Sequence, residues 1–101
     1  MKLRIYKYPV AVLDEQVLKI PGLHKILSIG EQPGVASGVL ALWAMVDLED
    51  DTADEVPLRI VGTGNPMPDD MAVGRQWKYW KTVQMASGLV WHVFLKAGEL
   101  L

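Results

Sequence analysis

Apolar residues along this chain come in short runs cut by glycine, proline and acidic clusters, a rhythm that predicts β-strands rather than helices. Leu3-Arg4-Ile5-Tyr6-Lys7-Tyr8 alternates apolar and basic positions, which places Leu3 and Ile5 on one face and Arg4 and Tyr6 on the other. Pro9 has no N–H to donate, so it either ends that strand or holds it at a sheet edge. Residues 17–20 predict a second strand, stopped by the turn-forming pair Pro21-Gly22. Residues 25–30 predict a third, followed by a turn at Pro33-Gly34. Residues 39–47 are apolar on both faces, the pattern of a central strand covered on two sides. Residues 57–63 predict a fifth strand. Residues 78–85 and 89–95 predict a closing hairpin, joined by Ala86-Ser87-Gly88. Between them Pro66 and Pro68 mark a long connection, with at most one short helical turn near 69–76.

These elements predict an all-β, mostly antiparallel domain of about seven short strands, a small sandwich or barrel spanning residues 1–101. No strand–helix–strand pattern appears, so a parallel sheet is not expected. A chain of 101 residues holds one core. Half of its residues are hydrophobic and the mean hydropathy is +0.17, which leaves apolar area that either enters the core or covers a partner.

Charge and cysteine content narrow the chemistry. A formal charge of −2 supplies no basic field to recruit nucleic acid or an anionic membrane. The absence of cysteine removes disulfides, thiolate metal sites and a cysteine nucleophile. The longest clean apolar run, residues 39–46, is far short of the ~20 residues that span a bilayer. Lys7 and Asp14-Glu15 break up any signal-peptide pattern at the start, so a soluble protein is expected.

The loop candidate is Gly62-Thr63-Gly64-Asn65, where two glycines beside a hydroxyl could turn backbone N–H groups toward a small anion. Its neighbours Pro66, Pro68, Asp69 and Asp70 argue instead for a restrained strand exit, and no lysine or following helix completes a phosphate loop. His92, on the face of Val90 and Phe94, would need an orienting carboxylate such as Asp69 or Asp70 to act as a hydrolytic base. A cross-strand histidine bonded to its surroundings is the plainer expectation. His24 and His92 do not reproduce a zinc spacing. Residues 47–55 hold six of the twelve acids, but Thr52 and Leu58 stand where a calcium loop needs glycine and glutamate. A solvated loop is expected there, with no metal and no cofactor.

Arg75-Gln76-Trp77-Lys78-Tyr79-Trp80-Lys81 mixes three bases with three aromatics, a composition shared by single-strand nucleic-acid surfaces and protein-binding hot spots. Simple alternation puts Trp77, Tyr79 and Lys81 on one face and Lys78, Trp80 and Thr82 on the other, so no single stacking platform follows. A plain structural reading, with one tryptophan in the core and the rest an amphipathic surface, stands first; among binding readings a protein partner on Arg75, Trp77, Lys78, Tyr79, Trp80 and Lys81 is favoured over nucleic acid or a nucleotide.

Five blocks carry a family resemblance: Ile5-Tyr6-Lys7-Tyr8-Pro9, Ile26-Leu27-Ser28-Ile29, Leu42-Trp43-Ala44-Met45-Val46-Asp47, Gly62-Thr63-Gly64-Asn65-Pro66-Met67-Pro68-Asp69 and Leu89-Val90-Trp91-His92-Val93-Phe94. As a set they resemble small uncharacterised proteins of tailed bacteriophages and prophages, over nearly the whole chain. The long acidic segment after Asp47 and the tryptophan content of residues 75–81 depart from that pattern. The resemblance implies a phage setting, the cytoplasm of a bacterial host and no established activity. The leading expectation is a non-enzymatic accessory protein that binds a host or phage protein, in host takeover or counter-defence, and self-associates, for instance as a homodimer. The alternative is a small-ligand or nucleotide binder that sequesters a host defence signal, with Trp77 or Trp80 stacking a base beside the Gly62 loop and Arg75 or Lys78 meeting phosphate. A place in the virion is a further expectation left open by the residues.

Overall fold

The computed structural model describes residues 1–32, 38–69, 71 and 76–96. Seven strands follow in chain order: β1 Leu3–Ala11, β2 Glu15–Pro21, β3 Leu23–Gly30, β4 Val39–Asp47, β5 Ala53–Gly62, β6 Trp77–Gln84 and β7 Val90–Lys96. They form two sheets, β1-β4-β3 and β2-β5-β7-β6, with each neighbouring pair antiparallel. The architecture is a sandwich and not a closed barrel, with extents of 43 × 35 × 16 Å.

Alternation along each strand builds the core between the sheets. The three-stranded sheet contributes Val10, Ile26, Ile29, Leu40, Leu42, Ala44 and Val46, all buried. The four-stranded sheet answers with Ile20, Val56, Leu58, Ile60, Val83, Val93 and Leu95. No charged or polar side chain is buried among the described residues, so this interior is held by apolar burial alone.

The strand pattern read from the sequence holds, with β1 running on through Pro9 to Ala11 and β5 starting at Ala53. Pro9 is tolerated because β1 lies at a sheet edge. The expected helical turn begins at Asp69 and Met71, where the Met71 N–H donates 3.0 Å to the Pro68 carbonyl. The turn expected at Pro33-Gly34 lies outside the described residues. β4 is the central strand of its sheet, but its two faces differ from the expected double cover. Leu40, Leu42, Ala44 and Val46 are buried, whereas on the other face only Ala41 is buried and Val39, Trp43 and Met45 are partly covered. No third layer of described residues lies over that outer face, because all seven strands are used in two sheets.

Pro21-Gly22 does not close a hairpin. It moves the chain from one sheet to the other in a single residue, β2 and β3 belonging to different sheets. Gly22 adopts φ +64°, and a Cβ there would clash with the Asp47 carbonyl oxygen. Its N–H donates 2.7 Å to the Thr52 carbonyl, and its own carbonyl accepts 2.8 Å from the Asp47 N–H. The β2–β3 crossing is thereby fastened to the β4–β5 crossing. The Asp47 side chain completes the corner, its Oδ1 accepting from the N–H groups of Lys2 and Glu49 at 3.0 Å each.

Those two bonds, Lys2 first, hold the Asp47 carboxyl below its ordinary value. The bonds from the Thr52 hydroxyl and N–H do the same for Asp50. A carboxyl lowered on folding stabilises the fold above its unfolded value, near pH 4, and that contribution disappears as pH falls through the folded value. Asp47→Ala should therefore lower the urea midpoint at pH 7, with the gap to wild type closing in acid below about pH 4. Gly22→Ala should cost more than about 2 kcal/mol in urea denaturation, since it meets both an unfavourable φ and a backbone clash.

Candidate functional site

The surface that gathers chemistry is the outer face of the four-stranded sheet, and a β-bulge composes it. Along β6, Tyr79 pairs with Phe94 and Lys81 with Val93, so Trp80 is an extra residue in the ladder. Strict alternation would send Tyr79 and Thr82 to opposite faces, being three residues apart. The bulge brings them to one face, where the Tyr79 hydroxyl and Thr82 Oγ1 lie 2.6 Å apart. Trp80 turns inward and packs against the core. Lys81 follows it, its Nζ donating 3.1 Å to Ser28 Oγ on β3 of the other sheet. The face assignment expected from alternation is corrected accordingly: Trp77, Tyr79 and Thr82 share the outer face, while Lys78, Trp80 and Lys81 take the other.

Cross-strand register supplies the rest of the outer face. Glu15, Arg59, Phe94 and Tyr79 form one row across all four strands. Arg59 donates 3.1 Å to Glu15 Oε2, and its guanidinium lies 4.9 Å from the centre of the Trp77 ring. Lys96, paired with Trp77, holds its Nζ 5.9 Å from the same ring. Each such cation–aromatic contact contributes about 0.5–1 kcal/mol at an exposed site. The Tyr79 and Phe94 rings meet edge to face at 5.8 Å and 74°.

A chain of hydroxyls and imidazole runs across the same face. Thr63 Oγ1 lies 2.7 Å from His92 Nε2, and Thr82 Oγ1 lies 3.0 Å from His92 Nδ1. With Tyr79 beyond Thr82, the chain links β6, β7 and the exit of β5. A hydroxyl at hydrogen-bond distance from an imidazole is the geometry of a base and its nucleophile. Here, however, the opposite ring nitrogen meets the Thr82 hydroxyl, so among the described residues no carboxylate orients the ring. Asp69 is not a partner of His92, both of whose ring nitrogens are taken by hydroxyls, and Asp70 lies outside the described residues. The chain is arranged to offer and accept hydrogen bonds at a surface.

The loop at Gly62, Thr63, Gly64 and Asn65 is a strand exit. The Thr63 N–H donates to the Val90 carbonyl at 3.2 Å and the Asn65 N–H to the Gly62 carbonyl at 3.1 Å, so these two amides are spent inside the fold. Gly62 is required by close approach, since a Cβ there would lie 3.0 Å from the Trp91 ring. Beside the loop is an open cleft of ≈ 330 Å³ bordered by Thr63, Asn65, Leu89 and Trp91. Trp77 does not reach it. Gly62 pairs with Trp91 and Trp77 with Lys96, a difference of five residues along β7, or about 17 Å.

Trp91 therefore occupies the position that the sequence reading gave to Trp77 or Trp80, and Arg75 lies outside the described residues. Lys78 is exposed, opposite Leu95 at the sheet edge, and His24 is exposed on β3. Among the described residues no group of three histidines or carboxylates is placed to hold a metal ion. Trp91 packs against the core from the inner side of β7 and only borders the cleft at its end; Arg59, Phe94 and Thr82 are the members of the outer face that sequence reasoning missed. A periodicity within one strand carries no trace of them; only the cross-strand register does. Thr82→Val keeps the side-chain shape and removes the bonds to His92 and Tyr79, so it should cost about 1 kcal/mol in urea denaturation with an unchanged slope.

No helix among the described residues is long and apolar enough to cross a membrane. Comparison with curated proteins and with solved structures finds no match. Residues 1–100 match the family described as a domain of unknown function (DUF7352), and the chain belongs to that family.

Proposed function

We propose that this domain works by binding and not by catalysis, and that a host or phage protein docks on the outer face of the four-stranded sheet. The observation that carries the reading is the cross-strand register that sets Trp77, Tyr79 and Phe94 beside Arg59 on one surface, from which the bulge at Trp80 turns Lys81 away. Tryptophan, tyrosine and arginine are the residues that dominate binding energy in protein interfaces. Tyr79 is 53% exposed and is held in place by Thr82 and Phe94, so it offers a partner a fixed aromatic surface. The hydroxyl–imidazole chain of Thr63, His92 and Thr82 supplies a polar margin beside these anchors. A phage or prophage setting, and with it action in the cytoplasm of a bacterial host in takeover or counter-defence, rests on the resemblance of the five sequence blocks.

A second reading, a small-ligand or nucleotide binder, is favoured by the cleft beside Thr63, Asn65 and Trp91, where an indole borders polar side chains. A nucleotide at a hundred times its Kd would stabilise the fold by about 2.7 kcal/mol, visible as a shift in Tm. The protein-binding reading is tested by affinity capture from infected host lysate with wild type, Trp77→Ala/Tyr79→Ala and Leu48→Ala as an exposed control away from this sheet. Loss of two anchors should cut recovery of the partner by about tenfold or more while Leu48→Ala retains it. Equal recovery with all three proteins would remove the interface from this face.

A further inference from the structure

We propose that β1 is a self-association edge: two copies of this chain pair antiparallel through β1, about a two-fold axis at Ile5, and merge two three-stranded sheets into one of six strands. The inference concerns the opposite sheet from the docking face above and stands independently of it.

Among the described residues β1 is the longest of the four edge strands, its nine residues paired to β4 on one side only. The Lys2 carbonyl and the Val12 N–H bond toward the β4 side, to Leu48 and Gly38. Even-numbered residues of this regular strand therefore direct their backbone groups to β4, and Leu3, Ile5, Lys7, Pro9 and Ala11 direct theirs outward. At the far end the edge is already closed, the Ala11 carbonyl accepting 2.6 Å from Gln16 Nε2. The Leu3 carbonyl accepts 2.8 Å from Arg4 Nη1, so the outward groups left for a second strand to match are the Leu3 N–H and the N–H and C=O of Ile5 and Lys7.

The sequence of β1 selects one symmetric register. Centring the pair on Lys7 sets Lys7 against Lys7, and centring it on Arg4 sets arginine against arginine, both like-charge pairs. Centring on Tyr6 sets Pro9, which has no N–H, against Leu3 and loses bonds inside the ladder. Centring on Ile5 pairs Ile5 with itself and Leu3 with Lys7, with Pro9 falling beyond the last bond needed. On the other face the same register sets Arg4 against Tyr6 and Lys2 against Tyr8, so every cation meets an aromatic or aliphatic neighbour. Lys7 and Pro9, residues that guard edges against indiscriminate pairing, here discard the competing registers.

Among the described residues none stands where the second strand would lie. Arg4 and Tyr6 face the side of the other sheet, as Val10 and Tyr8 do, yet both are exposed, so the four-stranded sheet does not reach beneath this half of β1. Ile5 is 60% exposed on the outer face, beside Met45 of β4. Pairing at Ile5 would join the two Ile5–Met45 patches across the axis. The arrangement is isologous and closes at two subunits.

Disulfide trapping tests the register, since the chain has no cysteine of its own. Opposed residues in a bonded antiparallel pair lie about 5.5 Å apart at Cα, within disulfide range. Lys7 and its symmetry mate lie about 14 Å apart along the strand, beyond it. Under mild oxidation Ile5→Cys should form covalent dimers at least tenfold faster than Lys7→Cys. Sedimentation of the wild type should give a dimer, and Ile5→Asp, a folded protein by circular dichroism because the site is exposed, should give a monomer. A wild type that stays monomeric at about 0.5 mM, equal trapping of the two cysteine variants, or a dimeric Ile5→Asp would each overturn the proposal.

Discussion

The two sheets of a sandwich share no backbone ladder, so their alignment rests on apolar contact and on the places where the chain crosses between them. In this protein the decisive crossing is Gly22. It carries the chain from β2 to β3 in one residue, while its N–H and carbonyl reach Thr52 and Asp47 on the separate crossing from β4 to β5. Two crossings distant in sequence are thus pinned at one corner by backbone alone. Contact between apolar faces tolerates sliding, because dispersion and burial have little direction. Hydrogen bonds at Gly22 supply the direction that the core lacks. The capped Asp47 carboxylate reinforces the same corner from outside, joining it to the start of β1 through Lys2.

From that corner the geometry passes to both surfaces. Asp47 ends β4, and β4 sets the register of β1, whose outward row of backbone groups forms the free edge. Thr52 leads into β5, and β5 positions Arg59 and Thr63 beside β7. The bulge in β6 then decides which aromatic rings face water. A one-residue irregularity serves two opposed demands at this point, since Trp80 and Lys81 go inward to the core and to Ser28, and Tyr79 and Thr82 go outward together. Without it the indole of Trp80 would sit outside and the Tyr79–Thr82–His92 chain would be broken.

Much of this fold is legible in the residues. Alternation exposed β1, continuous apolarity marked β4 as central, and Gly88 announced the β6–β7 hairpin, where it indeed adopts φ +96°. The sheet to which each strand belongs was less legible. Pro21-Gly22 has the chemistry of a tight turn between paired strands, and local chemistry does not distinguish that turn from a crossing. The candidate surface was legible only in part. Residues 77–81 stood out by composition, but their distribution over two faces depends on the bulge, and the bulge arises from how β6 lies against β7. Arg59 and Phe94 join Trp77 and Tyr79 through pairing partners far away in sequence, which a single strand's pattern does not encode.

The hydroxyl–imidazole chain has a property that a charged network lacks. Every member from Thr63 through His92 and Thr82 to Tyr79 can serve as donor or acceptor, and neutral imidazole exchanges these roles when its proton changes nitrogen. The row therefore has two proton arrangements of opposite polarity on one set of heavy-atom positions. Turning three O–H bonds and shifting one tautomer reverses its dipole with no rotamer change. A group that approaches at Tyr79 wanting a donor, and one wanting an acceptor, meet the same rigid surface.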